Sequence, residues 1–252
     1  MVKLTACSHE EARPELIEGS TEVKSSQLEG RACLTIPTLI HQGNVQGYIH
    51  HPVSRPENGL VLTHGAGANC SSPMLVAIAN ELAARGLSVL RCDLPFRQRR
   101  PKGPPFPSQA ERDREGLREA VDLMKGILPG TVYLGGHSYG GRQASLLAGG
   151  EATVAGLLLL SYPLHPPGKP EQLRTAHFPS LETSTLFIHG EKDPFGSLAE
   201  MREALLLIPG RHELCPISGA GHDLDGRKRA TIITVSDRFL DFFGARRSLI
   251  PA

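Results

Sequence analysis

The pentapeptide Gly136-His137-Ser138-Tyr139-Gly140 sets a serine between glycines at positions minus two and plus two. A serine hydroxyl is a weak nucleophile at neutral pH, so it acts only with a base in hydrogen-bond reach and an acid that fixes the tautomer of that base. Both partners follow in order. Asp193 stands in His189-Gly190-Glu191-Lys192-Asp193-Pro194, and His222 closes Ile217-Ser218-Gly219-Ala220-Gly221-His222. Glu191 and Asp223 compete for the acid's place. Asp193 is preferred on the geometric roles the trio must fill, because a residue adjacent to the histidine cannot easily turn back onto its ring. Of the 11 histidines, His222 is chosen by position, whereas His50 and His51, just before Pro52, read as surface residues. Attack by such a serine on an ester or thioester carbonyl requires an acyl-enzyme intermediate.

The attack develops an oxyanion that preorganised donors must meet. The N–H of Tyr139, immediately after the serine, is one candidate. The second is the N–H of Ala66, in His64-Gly65-Ala66-Gly67-Ala68, where glycines let backbone approach a ligand closely. A phosphate cradle would show similar glycines, but the chain has neither G-x-x-x-x-G-K nor G-x-G-x-x-G, so nucleotide binding is discounted. No cofactor is expected. No metal is expected either, since H-x-H, H-E-x-x-H and C-x-x-C are absent.

Chemistry of this kind needs a scaffold that brings three distant segments together. From about residue 58 onward, short apolar runs alternate with longer amphipathic ones, as parallel strands joined by helices on both faces of a sheet would. The runs Leu60–Leu62, Leu87–Leu90, Val132–Leu134, Leu157–Leu160 and Leu186–Ile188 read as buried strands, and Leu34–Ile40 with Val45–Ile49 as antiparallel edge strands. One helix opens at Ser72-Pro73, carries Leu75, Ile78 and Leu82, and stops at Gly86. A second opens at Ser108, with Glu111 completing a capping box, and a last one spans roughly Arg227–Phe243 and ends at Gly244. The expected fold is α/β: a mostly parallel sheet with helices on both faces, in a single domain over 1–252. Residues 1–44 form an N-terminal extension and edge strand, and 162–180 a short cap loop. Prolines in Pro95–Pro107 and Tyr162–Pro179 forbid regular helix there. Both stretches follow strands, so they are the expected walls of a site beyond the strands' carboxyl ends.

Composition narrows the setting. In 252 residues, 27 Lys and Arg against 26 Asp and Glu leave a net charge of +1, so no global field draws the chain to nucleic acid or a bilayer. Five cysteines, widely spaced, argue against a disulfide framework and for a reducing compartment. The N-terminal stretch lacks an apolar core segment, and the apolar runs, such as that around Leu157–Leu160, are far too short to span a membrane. The expectation is a soluble, cytoplasmic protein.

The elbow at Ser138, the His64-Gly65 loop, the Gly190–Phe195 turn and the Gly219–His222 turn resemble the α/β-hydrolase superfamily over about residues 45–244. The segment Ser161-Tyr162-Pro163-Leu164-His165-Pro166-Pro167-Gly168-Lys169-Pro170, with Gly136–Arg142, looks more narrowly like the hydrolase-like domain shared by a testis-expressed protein family and the third subunit of the NSL histone acetyltransferase complex. Bacterial relatives of that domain are similar to dienelactone-hydrolase-type proteins. The resemblance implies a compact hydrolase fold with a small cap. The dienelactone type uses a cysteine nucleophile; Ser138 occupies the elbow here, so that substrate is not carried over.

The stretch between the strands at Leu160 and Thr185 is too short for a large helical lid, which favours an open cleft. Arg97, Arg99, Arg100 and Lys102 on one loop, with His165, Lys169 and Arg174 on the other, supply positive charge that would select a carboxylate-bearing or phosphate-bearing ester. Arg97 and His165 are the substrate-binding candidates; a solvated basic loop is the competing reading. At the level of the whole protein, the alternative to a serine hydrolase is a binding or scaffold protein that keeps the fold without turnover. No partner protein is specified by these residues.

Overall fold

The computed structural model describes residues 36–150, 154–226 and 228–244. Residues 1–35 of the expected N-terminal extension, including Cys7, Cys33 and the start of the expected Leu34–Ile40 strand, lie outside them, as does Arg227.

Among the described residues eight strands form one sheet: β1 (Thr38–Gln42), β2 (Val45–His50), β3 (Gly59–Thr63), β4 (Ser88–Asp93), β5 (Val132–His137), β6 (Leu157–Leu160), β7 (Thr185–Gly190) and β8 (His212–Ile217). Their spatial order is β1-β2-β4-β3-β5-β6-β7-β8. The pairs β1·β2 and β2·β4 are antiparallel, and all pairs from β4 through β8 are parallel. Chain order reverses at β3, whose neighbours are β4 on one side and β5 on the other. The connections leaving β3 and β5 therefore diverge and open a crevice beyond their carboxyl ends.

Among the described residues six α-helices cover the sheet: α1 (Pro73–Ala84), α2 (Pro95–Arg99), α3 (Ala110–Ile127), α4 (Tyr139–Ala148), α5 (Leu198–Leu205) and α6 (Arg229–Phe243). Strand side chains alternate between faces, and the packing follows that alternation. Leu60, Leu62, Leu158 and Leu160 meet Leu75, Ile78 and Leu82 of α1 and Val235 and Phe239 of α6. Val61, Leu157 and Leu159 meet Leu117, Val121 and Met124 of α3 and Met201 of α5 on the opposite face. All four leucines of β6 are fully buried, each worth ~1.5–3 kcal/mol relative to exposure. Among the described residues no helix is long and apolar enough to cross a membrane.

Helix ends depart from the sequence reading in three places. Ser72 sits at the N-cap of α1 without a side-chain cap bond, so Pro73 at the first helical position opens the helix by its fixed φ. The capping box expected at Ser108 is not formed: Pro107–Gln109 make a 3₁₀ turn, α3 begins at Ala110, and the Glu111 carboxylate pairs with Arg114 instead. The box is found at α5, where Ser197 and Glu200 cap reciprocally. Prolines do not exclude helix from Pro95 onward either. Pro95 occupies N1 of the five-residue α2, a position where its missing N–H is not needed. Gly86 (φ +99°) and Gly244 (φ +64°) end α1 and α6 as expected.

His50 is a further correction. It is buried, with Nδ1 2.8 Å from Asn80 Oδ1 and Nε2 accepting from Arg91 Nε at 2.7 Å. Burial first, then the Arg91 charge, lowers its pKa to about 4.

Candidate active site

Ser138 lies between the last residue of β5 and the first of α4, at φ +52° and ψ −118°. A non-glycine residue holds that conformation only where surrounding structure imposes it. The packing here does so. A Cβ on Gly136 would lie 2.6 Å from the Gly140 carbonyl carbon, and one on Gly140 would lie 2.5 Å from the His64 carbonyl oxygen. Only hydrogen fits at either glycine, so strand, helix and the loop after β3 close tightly around the serine.

His222 comes from the turn after β8, and its Nε2 is 2.8 Å from Ser138 Oγ. Its Nδ1 is 2.8 Å from Asp193 Oδ2 and 3.0 Å from Oδ1. An ionised carboxylate only accepts, so Nδ1 carries the proton and Nε2 is left to accept from the serine hydroxyl. Asp193 is buried after β7, and its Oδ1 also accepts from Phe195 N–H at 2.9 Å. The Phe195 ring covers the imidazole at 4.2 Å between centroids. The three segments named from sequence thus converge. The two competing carboxylates do not reach the ring's nitrogens: Glu191 accepts from Gly219 N–H (2.8 Å) and Ser218 Oγ (3.1 Å), and Asp223 accepts from Asp225 N–H (3.2 Å). Those two donors hold the exposed Glu191 carboxyl below the usual range and tie the Asp193 turn to the His222 turn.

Three histidines around the site are neutral supports that the sequence reading did not pick out. His137 Nε2 donates to the His222 carbonyl at 2.8 Å, and burial lowers the His137 pKa to about 4. His64 Nδ1 donates to the Gly65 carbonyl at 2.8 Å while its Nε2 accepts from Leu94 N–H at 3.1 Å; burial pushes its pKa down. His189 Nε2 donates to the Gly196 carbonyl at 2.7 Å, and burial lowers its pKa too. Their only sequence signal was position next to a glycine turn.

Ala66 and Tyr139 share a cleft with Ser138, about 670 Å³ in volume, walled by Pro104, Pro105, Phe106, Pro163 and Phe195. Tyr139 is held from behind: its hydroxyl donates to Asp113 Oδ2 at 2.8 Å, Asp113 Oδ1 accepts from Phe96 N–H at 2.9 Å, and Phe96 meets the tyrosine ring edge-on at 5.7 Å.

Arg97 and His165 are not cleft-wall residues. Arg97 is 6% exposed, and its guanidinium donates to the carbonyls of Ala66 (2.7 Å), Ala68 (2.8 Å), Arg100 (3.1 Å) and Gly103 (3.1 Å). It clamps the loop after β3 to the proline-rich loop. His165 is 5% exposed, with Nδ1 donating to the Pro166 carbonyl and Nε2 3.5 Å from Glu200. Burial of both side chains removes them from the mouth, where they were expected to meet substrate. The cationic groups that do line the cleft are Arg114, Arg142 and Arg174, of which only Arg174 belonged to the expected basic loops.

Comparison with known proteins agrees with this architecture. Residues 56–238 match the family described as alpha/beta hydrolase domain, and the chain belongs to that family. A dienelactone hydrolase from Anabaena variabilis superposes with a TM-score of 0.65 at 21% identity, covering 84% of this chain and 98% of that one. Est1E from Butyrivibrio proteoclasticus gives 0.64 at 16% identity over 82% and 99%. An esterase from Thermogutta terrifontis gives 0.59 at 17% identity over 87% and 96%. At these identities the likeness is one of fold.

Proposed function

We propose that the protein is a serine hydrolase that cleaves a small ester or thioester through an acyl-enzyme. Ser138 attacks the carbonyl carbon, and its proton passes to His222 Nε2. Asp193 orients the imidazole and stabilises the imidazolium that forms. Collapse of the tetrahedral intermediate breaks the bond to the leaving group, which takes the proton back from His222. Water, deprotonated by the same imidazole, then attacks the acyl carbon, and the second collapse returns Ser138 and the free acid.

The observation that carries this reading is the unbroken pair of 2.8 Å contacts from Ser138 Oγ through His222 to Asp193. Peptide geometry supports Tyr139 and Ala66 as the oxyanion donors. Tyr139 is the first residue of α4, so its N–H has no intrahelical acceptor. The Gly65 carbonyl is engaged by the His64 ring and by Ala68 N–H at 3.1 Å. In a trans peptide the N–H points opposite the C=O, so the Ala66 N–H is aimed away from both.

A fluorophosphonate probe followed by peptide mapping tests the reading without knowledge of substrate. Labelling confined to the peptide containing Ser138, and abolished in His222→Ala, is the expected result. Folded protein that does not label would favour the non-catalytic scaffold.

A further inference from the structure

The cleft beside Ser138 is lined by three arginines and by no carboxylate among the described residues. Arg114 is answered by Glu111 and by Gln143 Oε1 at 3.0 Å. No carboxylate among the described residues pairs with Arg142 or Arg174. Two donors of this lining, Arg142 Nε and Gln143 Nε2, are buried without a hydrogen-bond partner. Leaving such donors unanswered is costly, more so for a charged group. The two cations also act on their surroundings. Burial and then the Arg142 charge hold the Arg174 guanidinium below the ordinary arginine value, and the same two causes lower His177 to about 4.

Both arginines are held in place by the backbone. Arg142 N–H donates to the Ser138 carbonyl at 2.9 Å, which sets Arg142 one helical turn, about 5.4 Å, from the serine. Arg174 is fixed from both sides of the cap loop: its N–H donates to the Leu164 carbonyl (2.8 Å), its carbonyl accepts from the buried Tyr162 hydroxyl (2.6 Å), and its Nη1 donates to the Pro163 carbonyl at 3.3 Å. The remaining walls, Pro104, Pro105, Phe106 and Leu146 among them, are apolar.

From the unpartnered Arg142 Nε, the two guanidinium groups without a carboxylate partner and these apolar walls, we infer that Arg142 and Arg174 form the binding subsite for a carboxylate carried by the substrate beyond its scissile bond. The preferred substrate is therefore a half-ester or half-thioester of a short dicarboxylic acid. Its hydrocarbon chain lies along the proline walls, and its free carboxylate accepts from the planar guanidinium donors. This deepens the Ser138 hydrolase reading, and the assay below is independent of turnover.

Calorimetry on full-length Ser138→Ala protein, titrated with glutarate, with neutral glutaramide and with inorganic phosphate, tests the subsite directly. Glutarate is expected to bind at least tenfold more tightly than glutaramide, the scale of a charge-assisted hydrogen bond. Arg142→Gln and Arg174→Gln are each expected to erase most of that ratio. Thermal melts identify any variant that fails to fold, and either arginine alone suffices for the test. Equal affinity for glutarate and glutaramide, a preference that survives in both variants, or tighter binding of phosphate than of glutarate would overturn the subsite. In wild-type protein, the ratio of kcat/KM for the p-nitrophenyl half-ester of glutarate to that for p-nitrophenyl valerate is expected to exceed ten. Glutarate binding in a protein that no fluorophosphonate labels would keep the subsite and remove the hydrolase reading.

Discussion

The two flanks of Ser138 are built on opposite plans. On the flank of His222, polar groups are answered in series: Asp193 by His222 and Phe195 N–H, and the His222 carbonyl by His137. On the flank of Arg142, donors are buried and unanswered, and two cations share a cleft without a counter-charge. The first arrangement is complete in the free protein, as a proton path must be to work without reorganisation. Under the proposed subsite, the second is completed by an entering carboxylate. Proposed chemistry and proposed recognition are thus separated by one helical turn, and substitutions on the two flanks should fail in different ways.

The sharpest break comes on the closed flank. His222→Ala, and Asp193→Asn through loss of the correct tautomer, are expected to lower kcat on p-nitrophenyl acetate by about 10⁴-fold with little change in KM. Glu191→Gln is the control, because Glu191 touches the His222 turn and leaves the ring alone. A comparable loss in that variant would move the acid's role.

A smaller effect is expected where the proline-rich loop meets the Ala66 loop. Arg97→Ala removes four donors to backbone carbonyls and frees the segment that carries the Ala66 N–H. Loss of a whole oxyanion donor costs about 2.7–4 kcal/mol, so its loosening should lower kcat by about tenfold or more, read by steady-state kinetics on the same ester. An unchanged kcat in Arg97→Ala would place the oxyanion donors elsewhere.

The mildest effect is shared by both flanks. His137 on one and His177 on the other, with the distant His50, have pKa values lowered to about 4 from 6.5, chiefly by burial. Between those values the unfolded chain binds protons that the native state refuses. Stability is therefore fully present above pH 6.5 and declines as pH falls toward 4. Urea midpoints measured across that window are expected to fall steadily, and replacing His50 with Gln should flatten the slope. A midpoint flat from pH 6.5 to 4 would contradict neutral burial of these rings.

The sheet was largely legible, because β3, β5, β6 and β7 are apolar runs whose burial depends only on their own composition. The serine, the imidazole and the carboxylate were legible for a related reason: each sits on a turn whose glycines announce a tight backbone. Residues whose roles depend on partners from other elements were not. Arg97 sits in a string of cations that reads as a substrate-binding or solvated loop, yet four carbonyls from two loops collect its donors. His50 reads as exposed beside Pro52 until Asn80 of α1 and Arg91 of β4 close over it. Arg142 was given no role by the sequence reading. Its proposed role depends on Arg174, which lines the same cleft and whose carbonyl accepts from the Tyr162 hydroxyl. At Ser108, a local capping signal lost to the preceding proline, which favours a tighter turn.

The link from His137 to the carbonyl of residue 222 has a mechanical consequence. One imidazole is covalently attached to the residue bearing the alcohol and tethered to the backbone bearing the other imidazole. Breathing of the sheet that shifts the elbow drags the distal turn with it. In the proposed reaction this tether would hold the Ser138–His222 separation steady, although its two ends belong to loops 84 residues apart.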